Sequence, residues 1–235
     1  FSYPGHDDKP VLSNISFSVN PGDVVAIVGP TGSGKTTIAR LTSRLYTGYS
    51  GTITLDNTPI SDFTLQSLRR NIAVVPQERL LFSETIRFNL TLGDDSITDK
   101  AIYHATELVG IHDYIKSLPL GYDTILKKGY SELSAGQGQL LTFARAIASD
   151  RPIVILDEAT ASLDSLTENQ IQTAINALFK NKTVLVIAHR LSTIQHATKI
   201  LTMKDGAIIE SGTHQELLEK NGFYAKLYSM QFATL

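Results

Sequence analysis

The 235 residues include no cysteine, no tryptophan and only two methionines. Without cysteine there is no disulfide framework and no thiolate metal site, and compartment cannot be read from thiol usage. Neither charge sign dominates: 21 Lys and Arg stand against 23 Asp and Glu, a net charge of −2. That balance excludes a broad nucleic-acid footprint and a like-charged tail. No apolar run approaches the roughly 18–20 residues of a membrane helix. No signal peptide, internal repeat or low-complexity segment is visible.

What is present is ordinary globular composition, with 42% hydrophobic and 19% charged residues. The length suits one large domain, or one domain with a small lobe. The chain opens at Phe1 already in an apolar, strand-like pattern, which reads as a piece of something longer. "VLSNISFSV" (11–19) alternates as a half-buried strand does. "VVAIVG" (24–29) is continuously apolar, the pattern of a strand covered on both faces. From Gly34 to about Tyr46 the spacing is helical. "GTITLDNTPI" (51–60) predicts a strand pair turning at Asp56-Asn57, and "NIAVVPQ" (71–77) a strand stopped by Pro76.

Residues 83–149 differ in kind, with helical patterns such as "DKAIYHATELVGI" and "DYIKSL" and no convincing strand. Afterwards "PIVILDE", "KTVLVIAH" and "KILTM" alternate with helix-length segments, "GAIIESG" forms a short edge strand, and Thr213 with Glu216 fits a capping box on a closing helix. The expected fold is α/β: a core with a parallel sheet, an N-terminal antiparallel β subdomain and an inserted α-helical subdomain. The core would comprise 1–82 and 150–235, with 83–149 as the helical insertion.

"GPTGSGKTT" matches the phosphate-loop pattern from Gly29 to Thr36, with a strand before it and a helix after it. Gly29, Thr31, Gly32, Ser33 and Gly34 form the loop, whose glycines let backbone N–H groups turn inward around phosphate. Lys35 supplies the cation, Thr36 a hydroxyl for Mg²⁺, and Thr37 reaches an α phosphate at the helix N-terminus. Asp157, presented by the apolar strand 153–156, is placed to hold Mg²⁺ through water. Glu158 follows it and could polarise an attacking water, a role typically worth about 10²–10⁴ in rate. These residues make the α/β core a P-loop NTPase core with Mg²⁺ as its expected metal. The loop by itself does not separate a kinase from a GTPase or an ATPase, and "VILDE" narrows the choice.

A second possible anion grip lies at "LSAGQ" (133–137), where Ser134 and Gln137 complete a capping box before an apolar-faced helix. A plainly capped helix satisfies this stretch equally well on its own. It stands 20 residues upstream of "VILDE" on a chain with a complete phosphate loop. With both motifs in that order, the sequence resembles the nucleotide-binding domain of an ATP-binding cassette (ABC) transporter, along nearly its whole length.

The resemblance implies further roles. Tyr3, 26 residues before Gly29, would stack on adenine. Gln77 would touch Mg²⁺ or the attacking water, Asp164 would face a partner, and His189 would contact the γ phosphate. Ser134, Gly136 and Gln137 would grip the ATP of a second cassette bound head to tail. "LLFSETIRFNL" and the C-terminal "IIESGTHQELLEKNGFYAKLYSMQ" resemble exporter cassettes, whose coupling helices belong to a membrane domain expected N-terminal to this chain. The implied location is the cytoplasmic face of a cell membrane, without nucleic-acid partners. Three positions depart from the family: Ala135 for the first signature glycine, Gly138 for an arginine, and Lys128 near an expected glutamate. Ala135 together with Glu158 fits one half of a heterodimeric exporter. A homodimeric exporter is the alternative, and a non-transport ABC ATPase a third.

Overall fold

The computed structural model describes residues 1–6, 9–127, 133–157, 165–188, 194–195 and 197–232, the last-named helix end and residues 165–166 as backbone only where side chains are concerned. Six strands form the main sheet: β1 (Val24–Val28), β4 (Ile72–Val75), β5 (Ile153–Asp157), β6 (Thr183–Ile187), β7 (Lys199–Lys204) and β8 (Ala207–Gly212). Their spatial order is β4-β5-β6-β1-β7-β8. All neighbours are parallel except β7 and β8, an antiparallel pair with an irregularity at Thr202/Met203. The continuously apolar runs become these strands because each buries both faces. Ala26, Val28, Ala73, Val75, Val154, Leu156, Val184 and Val186 point into one hydrophobic cluster. Val25, Ile27, Ile72, Ile155, Leu185 and Ile187, the alternate residues, point into another.

The second cluster is closed by helix α1 (Lys35–Thr42), by Leu68 of α2 (Leu65–Arg69), and by Leu12 and Ile60. The small sheet β2 (Thr54–Leu55) and β3 (Thr58–Pro59) turns where expected. Asp56 and Asn57 have φ of 48° and 63°, the two positive values of a type I′ hairpin turn, which Asp and Asn tolerate. Residues 11–19 differ from expectation. Ile15, Phe17 and Val19 are half-buried against the same cluster, so the alternation is real. No ladder forms, however, and Asn14 at φ 50° interrupts the extended course. The backbone is tied only at points, as where Phe1 N donates to Leu12 O at 2.8 Å and Ser13 N to Gly206 O at 2.9 Å. Helix α1 also ends sooner than its apolar spacing suggested, with Arg44 at φ 56° just past its C-cap, Ser43.

Between β4 and β5 lie α3 (Ile86–Thr91), α4 (Asp99–Leu108), α5 (His112–Ser117) and α6 (Ala135–Ala148). Thr85 and Thr98 cap α3 and α4 by accepting from Phe88 N and Ala101 N. Ile86, Leu90, Ile102, Ile115 and Phe143 join the first cluster, so these helices share one core with a face of the sheet. Helix α7 (Ser165–Phe179) covers the same face. The expected closing helix is two helices, α8 (His214–Glu219) and α9 (Phe223–Phe232). Thr213 and Glu216 do form the capping box of α8, while Asn221 at φ 48° breaks the run and Glu210 accepts from Phe223 N and Tyr224 N to cap α9. Among the described residues no helix is long and apolar enough to cross a membrane.

Candidate functional site

Because β1, β4, β5 and β6 run parallel, their last residues Val28, Val75, Asp157 and Ile187 lie at one end of the sheet. That end is where open α/β sheets gather their ligands. Gly34 caps α1 in the left-handed region, φ 97°, with no side-chain cap bond. A Cβ there would fall 2.5 Å from Leu12 Cδ2 and 3.1 Å from Val11 O, so packing as well as dihedral demands glycine. Gly32, at φ 81°, has nothing within 4 Å of its would-be Cβ, which leaves open space above the loop.

The Lys35 amine turns back into its own loop, donating to Gly29 O at 2.8 Å and Pro30 O at 2.9 Å. Burial pulls its pKa below the ordinary lysine value, and the Asp157 charge opposes that shift. Both residues are 7% exposed. Ser33 Oγ is buried inside the loop with no hydrogen-bond partner among the described residues. A buried hydroxyl without a partner is costly unless a ligand supplies one.

Thr36, Gln77 and Asp157 line one cleft of about 230 Å³, together with Arg40 and Glu78. Among the described residues there is no cluster of three His, Cys, Asp or Glu side chains that could hold a metal unaided. A hydroxyl, an amide oxygen and one carboxylate leave positions for water and phosphate oxygens, the donor set Mg²⁺ accepts. The site therefore fits the ion expected from the sequence.

Tyr3 and Thr37 come together directly, their hydroxyl oxygens 2.9 Å apart, and Arg40 Nη1 approaches the Tyr3 hydroxyl at 3.4 Å. The Tyr3 ring sits edge-on to Phe1 and Tyr46, with centroids 5.2 and 5.1 Å away. Sequence reasoning missed Arg40 and Tyr46. Arg40 lies one helical turn past Thr36 and Thr37, a spacing that could have pointed to it.

Ser134, Gly136 and Gln137 gather at the head of α6, apart from the lining of that cleft. The capping box is formed: Gln137 N donates to Ser134 Oγ at 3.1 Å, and Ser134 N to Gln137 Oε1 at 2.8 Å. Ser134 and Ala135 are exposed, while Gly136 and Gly138 are buried. Gly136 is glycine for a reason not seen in the sequence, since its would-be Cβ meets the Thr167 side chain of α7 at 2.5 Å. Thr31 is exposed at the loop's crest. Glu158, Asp164, His189 and Lys128 lie outside the described residues.

One further group emerges only in three dimensions. Arg145, the only charge on α6, donates from Nε to Asn89 O at 2.6 Å, and burial pulls its pKa down to about 10. Asn89, fully buried, receives Phe82 N at 2.8 Å and donates to Phe82 O and Thr85 O. The pair fixes the turn "FSET" to the helix that starts at Ser134. A lone arginine in an otherwise uncharged helix was the available signal.

Comparison with known proteins agrees with this geometry. The ABC transporter family matches residues 12–161. An ATP-dependent lipid A-core flippase of Saccharophagus degradans is 47% identical over 228 residues, 97% of this chain and 39% of the relative. An uncharacterized ABC transporter ATP-binding protein of Bacillus subtilis, YknU, is 44% identical over 228 residues, again 97% and 39%. The structure of a bacterial Atm1-family ABC exporter with ATP bound superposes with a TM-score of 0.87 at 39% identity, over 98% of this chain and 40% of that one. The chain thus spans about two fifths of the relatives it matches. On its phosphate loop, its capped second motif and these likenesses, the chain belongs to the ABC transporter family.

Proposed function

We propose that this chain is the ATP-binding and ATP-hydrolysing cassette of an exporter, working head to tail with a second cassette. The observation that carries this reading is the pairing of an inward-turned Lys35 and buried Asp157 at one phosphate site with a separate, exposed, capped turn at Ser134. One chain then holds its own nucleotide with the first and meets the partner's with the second. When ATP enters, the Lys35 ammonium leaves the Gly29 and Pro30 carbonyls for phosphate oxygens. Thr36, Gln77 and Asp157 would hold Mg²⁺, which neutralises phosphate charge when bound. Tyr3 offers a ring face to adenine, and Thr37, beside Tyr3 at the start of α1, is assigned to an α phosphate. Glu158 is assigned as general base for the attacking water, and His189 as the γ-phosphate contact; Asp164 is assigned to the partner boundary.

The turn at 82–85, with Phe82 48% exposed and packed edge-on against Phe88, is assigned to the coupling helices of a membrane domain. The location proposed with it is the cytoplasmic face of a cell membrane. The membrane part, rather than this chain, would choose the cargo. The exposed Ala135 adds a methyl at the turn offered to phosphate, which favours one half of a heterodimer. A homodimer is the second reading, since the capping box that shapes the turn is intact.

The test is the solution mass of Glu158→Gln with and without Mg-ATP. ATP-dependent doubling supports the head-to-tail cassette and the homodimer. A monomer that binds ATP, and doubles only on adding a cassette with an unaltered signature, supports the heterodimer. A chain that binds no ATP refutes the reading.

A further inference from the structure

Gln77 and the turn at Ser134 belong to different parts of the fold, yet one side chain joins them. Two residues beyond Gln77, Arg79 donates from Nη1 to the Ala135 carbonyl at 3.2 Å, across 56 residues of sequence. Its stem lies along the same turn, for a Cβ on Gly138 would come 3.4 Å from Arg79 Cδ and 3.6 Å from Nη1. Arg79 is exposed, and none of the ion pairs among the described residues engages it. A cation is a poor neighbour for the first turn of a helix. The unpaired N–H groups there already make the field positive, and an acid is the favoured residue. Helix stability therefore gives no reason for arginine at this place. Its one hydrogen bond among the described residues, to the head of α6, does.

We propose that Arg79 is a positioning residue that clamps the head of α6 to the Gln77 segment. The inference rests on the cassette reading, in which Gln77 serves this chain's own ATP and the Ser134 turn serves the partner's. The clamp then fixes the distance between two sites that hold different nucleotides. Gly138 is part of the device, because its missing side chain is the space through which the Arg79 stem passes.

That geometry makes a test by reciprocal substitution possible. Arg79→Ala, Gly138→Arg and the double variant are compared with the parent chain for ATP hydrolysis and thermal unfolding. Hydrogen exchange at residues 135–138 is measured without nucleotide. Arg79→Ala should lower kcat by between about tenfold and a hundredfold, as misplacement of an otherwise intact site does, with KM and Tm unchanged. Gly138→Arg alone should also lower kcat, because its side chain crowds the Arg79 stem and brings a like charge. In the double variant the crowding is relieved but the bond to Ala135 is still missing, so kcat should stay at the Arg79→Ala level with no further fall. Equal effects of Gly138→Arg in both backgrounds, or a fall in Tm that tracks the fall in kcat, would overturn the clamp. A parent chain without ATPase activity would count against the cassette reading instead, and exchange then decides alone. Faster exchange at 135–138 in Arg79→Ala supports the clamp. Unchanged exchange overturns it.

Discussion

Gly136 and Gly138 stand two residues apart on α6, and alanine at each should move stability in opposite directions. A Cβ on Gly136 would lie 2.5 Å from Thr167 Cγ2, 3.0 Å from its Oγ1 and 3.3 Å from its Cβ, on a neighbouring helix. A Cβ on Gly138 would meet Arg79 Cδ and Leu81 Cδ1 at 3.4 Å and Arg79 Nη1 at 3.6 Å, ordinary contact distances to flexible side chains. Alanine gains up to about 1 kcal/mol over glycine in a helix. Overpacking of the first kind costs about 1–3 kcal/mol. With its nearest contact at 2.5 Å, Gly136→Ala lies in the upper half of that range, about 2–3 kcal/mol, so it should lose about 1–2 kcal/mol net, whereas Gly138→Ala should gain up to about 1. At about 2–4 °C per kcal/mol for a chain of this size, Tm falls by roughly 2–8 °C in the first and rises by up to roughly 4 °C in the second. The assay is thermal unfolding followed by circular dichroism or calorimetry. Adding Thr167→Ala to Gly136→Ala removes the two nearest atoms, and most of the loss should be recovered, a coupling of about 1 kcal/mol. A Gly136→Ala chain of unchanged Tm that no longer associates with ATP would refute the packing argument. It would show that the glycine is kept for the approach of phosphate.

Three further outcomes follow from the site. Burial lowers the Lys35 pKa, so its folded value lies below its unfolded one. The charged amine therefore costs stability at neutral pH, and the cost disappears as pH rises past the ordinary 10.5. Lys35→Met should bind no ATP yet melt no lower than the parent at neutral pH, with any gain shrinking in alkali. Tyr3→Phe loses the hydroxyl contact with Thr37 and about 0.5–1.5 kcal/mol of stability, but should retain ATP affinity, whereas Tyr3→Ala should weaken ATP by about 1–3 kcal/mol if the ring stacks. Nucleotide titrations on both variants check this. Bonds from Thr213 hold the Glu216 carboxyl below its ordinary 4.5. Its contribution is present above that value and is lost as pH falls through the lower folded value. The stability difference between the parent and Glu216→Gln should shrink on acidification, as melts between neutral pH and about pH 3 would reveal.

The sequence was most legible where structure is decided within a few residues. The Asp56-Asn57 turn, the capping boxes at Ser134 and Thr213, and the doubly buried strands all depend on local dihedral preference and on period-two burial. The phosphate loop was legible for the same reason, as spacing alone places its glycines and Lys35. Residues 11–19 misled because alternation reports which side chains are buried, not whether a neighbouring strand lies within bonding reach. The closing helix misled because continuous apolar spacing concealed the left-handed Asn221. Contacts of large sequence separation stayed hidden altogether: Thr167 against Gly136, Arg79 on Ala135, and Arg145 on Asn89. Each needs the fold before the partners are neighbours, and a single sequence carries no record of the pairing.

The central sheet divides the chain's interior into two volumes that meet only across the strands. The phosphate loop's helix packs into one, and the helix of the second motif packs into the other. Side chains facing opposite volumes share few partners, so their effects on stability should sum nearly independently. Such a partition lets mutation rework one half without disturbing the other. On the cassette reading, a lineage can repack the interior on one side of the wall while the packing on the other is inherited intact, and contacts such as Arg79 on Ala135 keep the two sides in register. Duplicated cassettes, so read, could drift into unequal pairs by changing a single side of the wall.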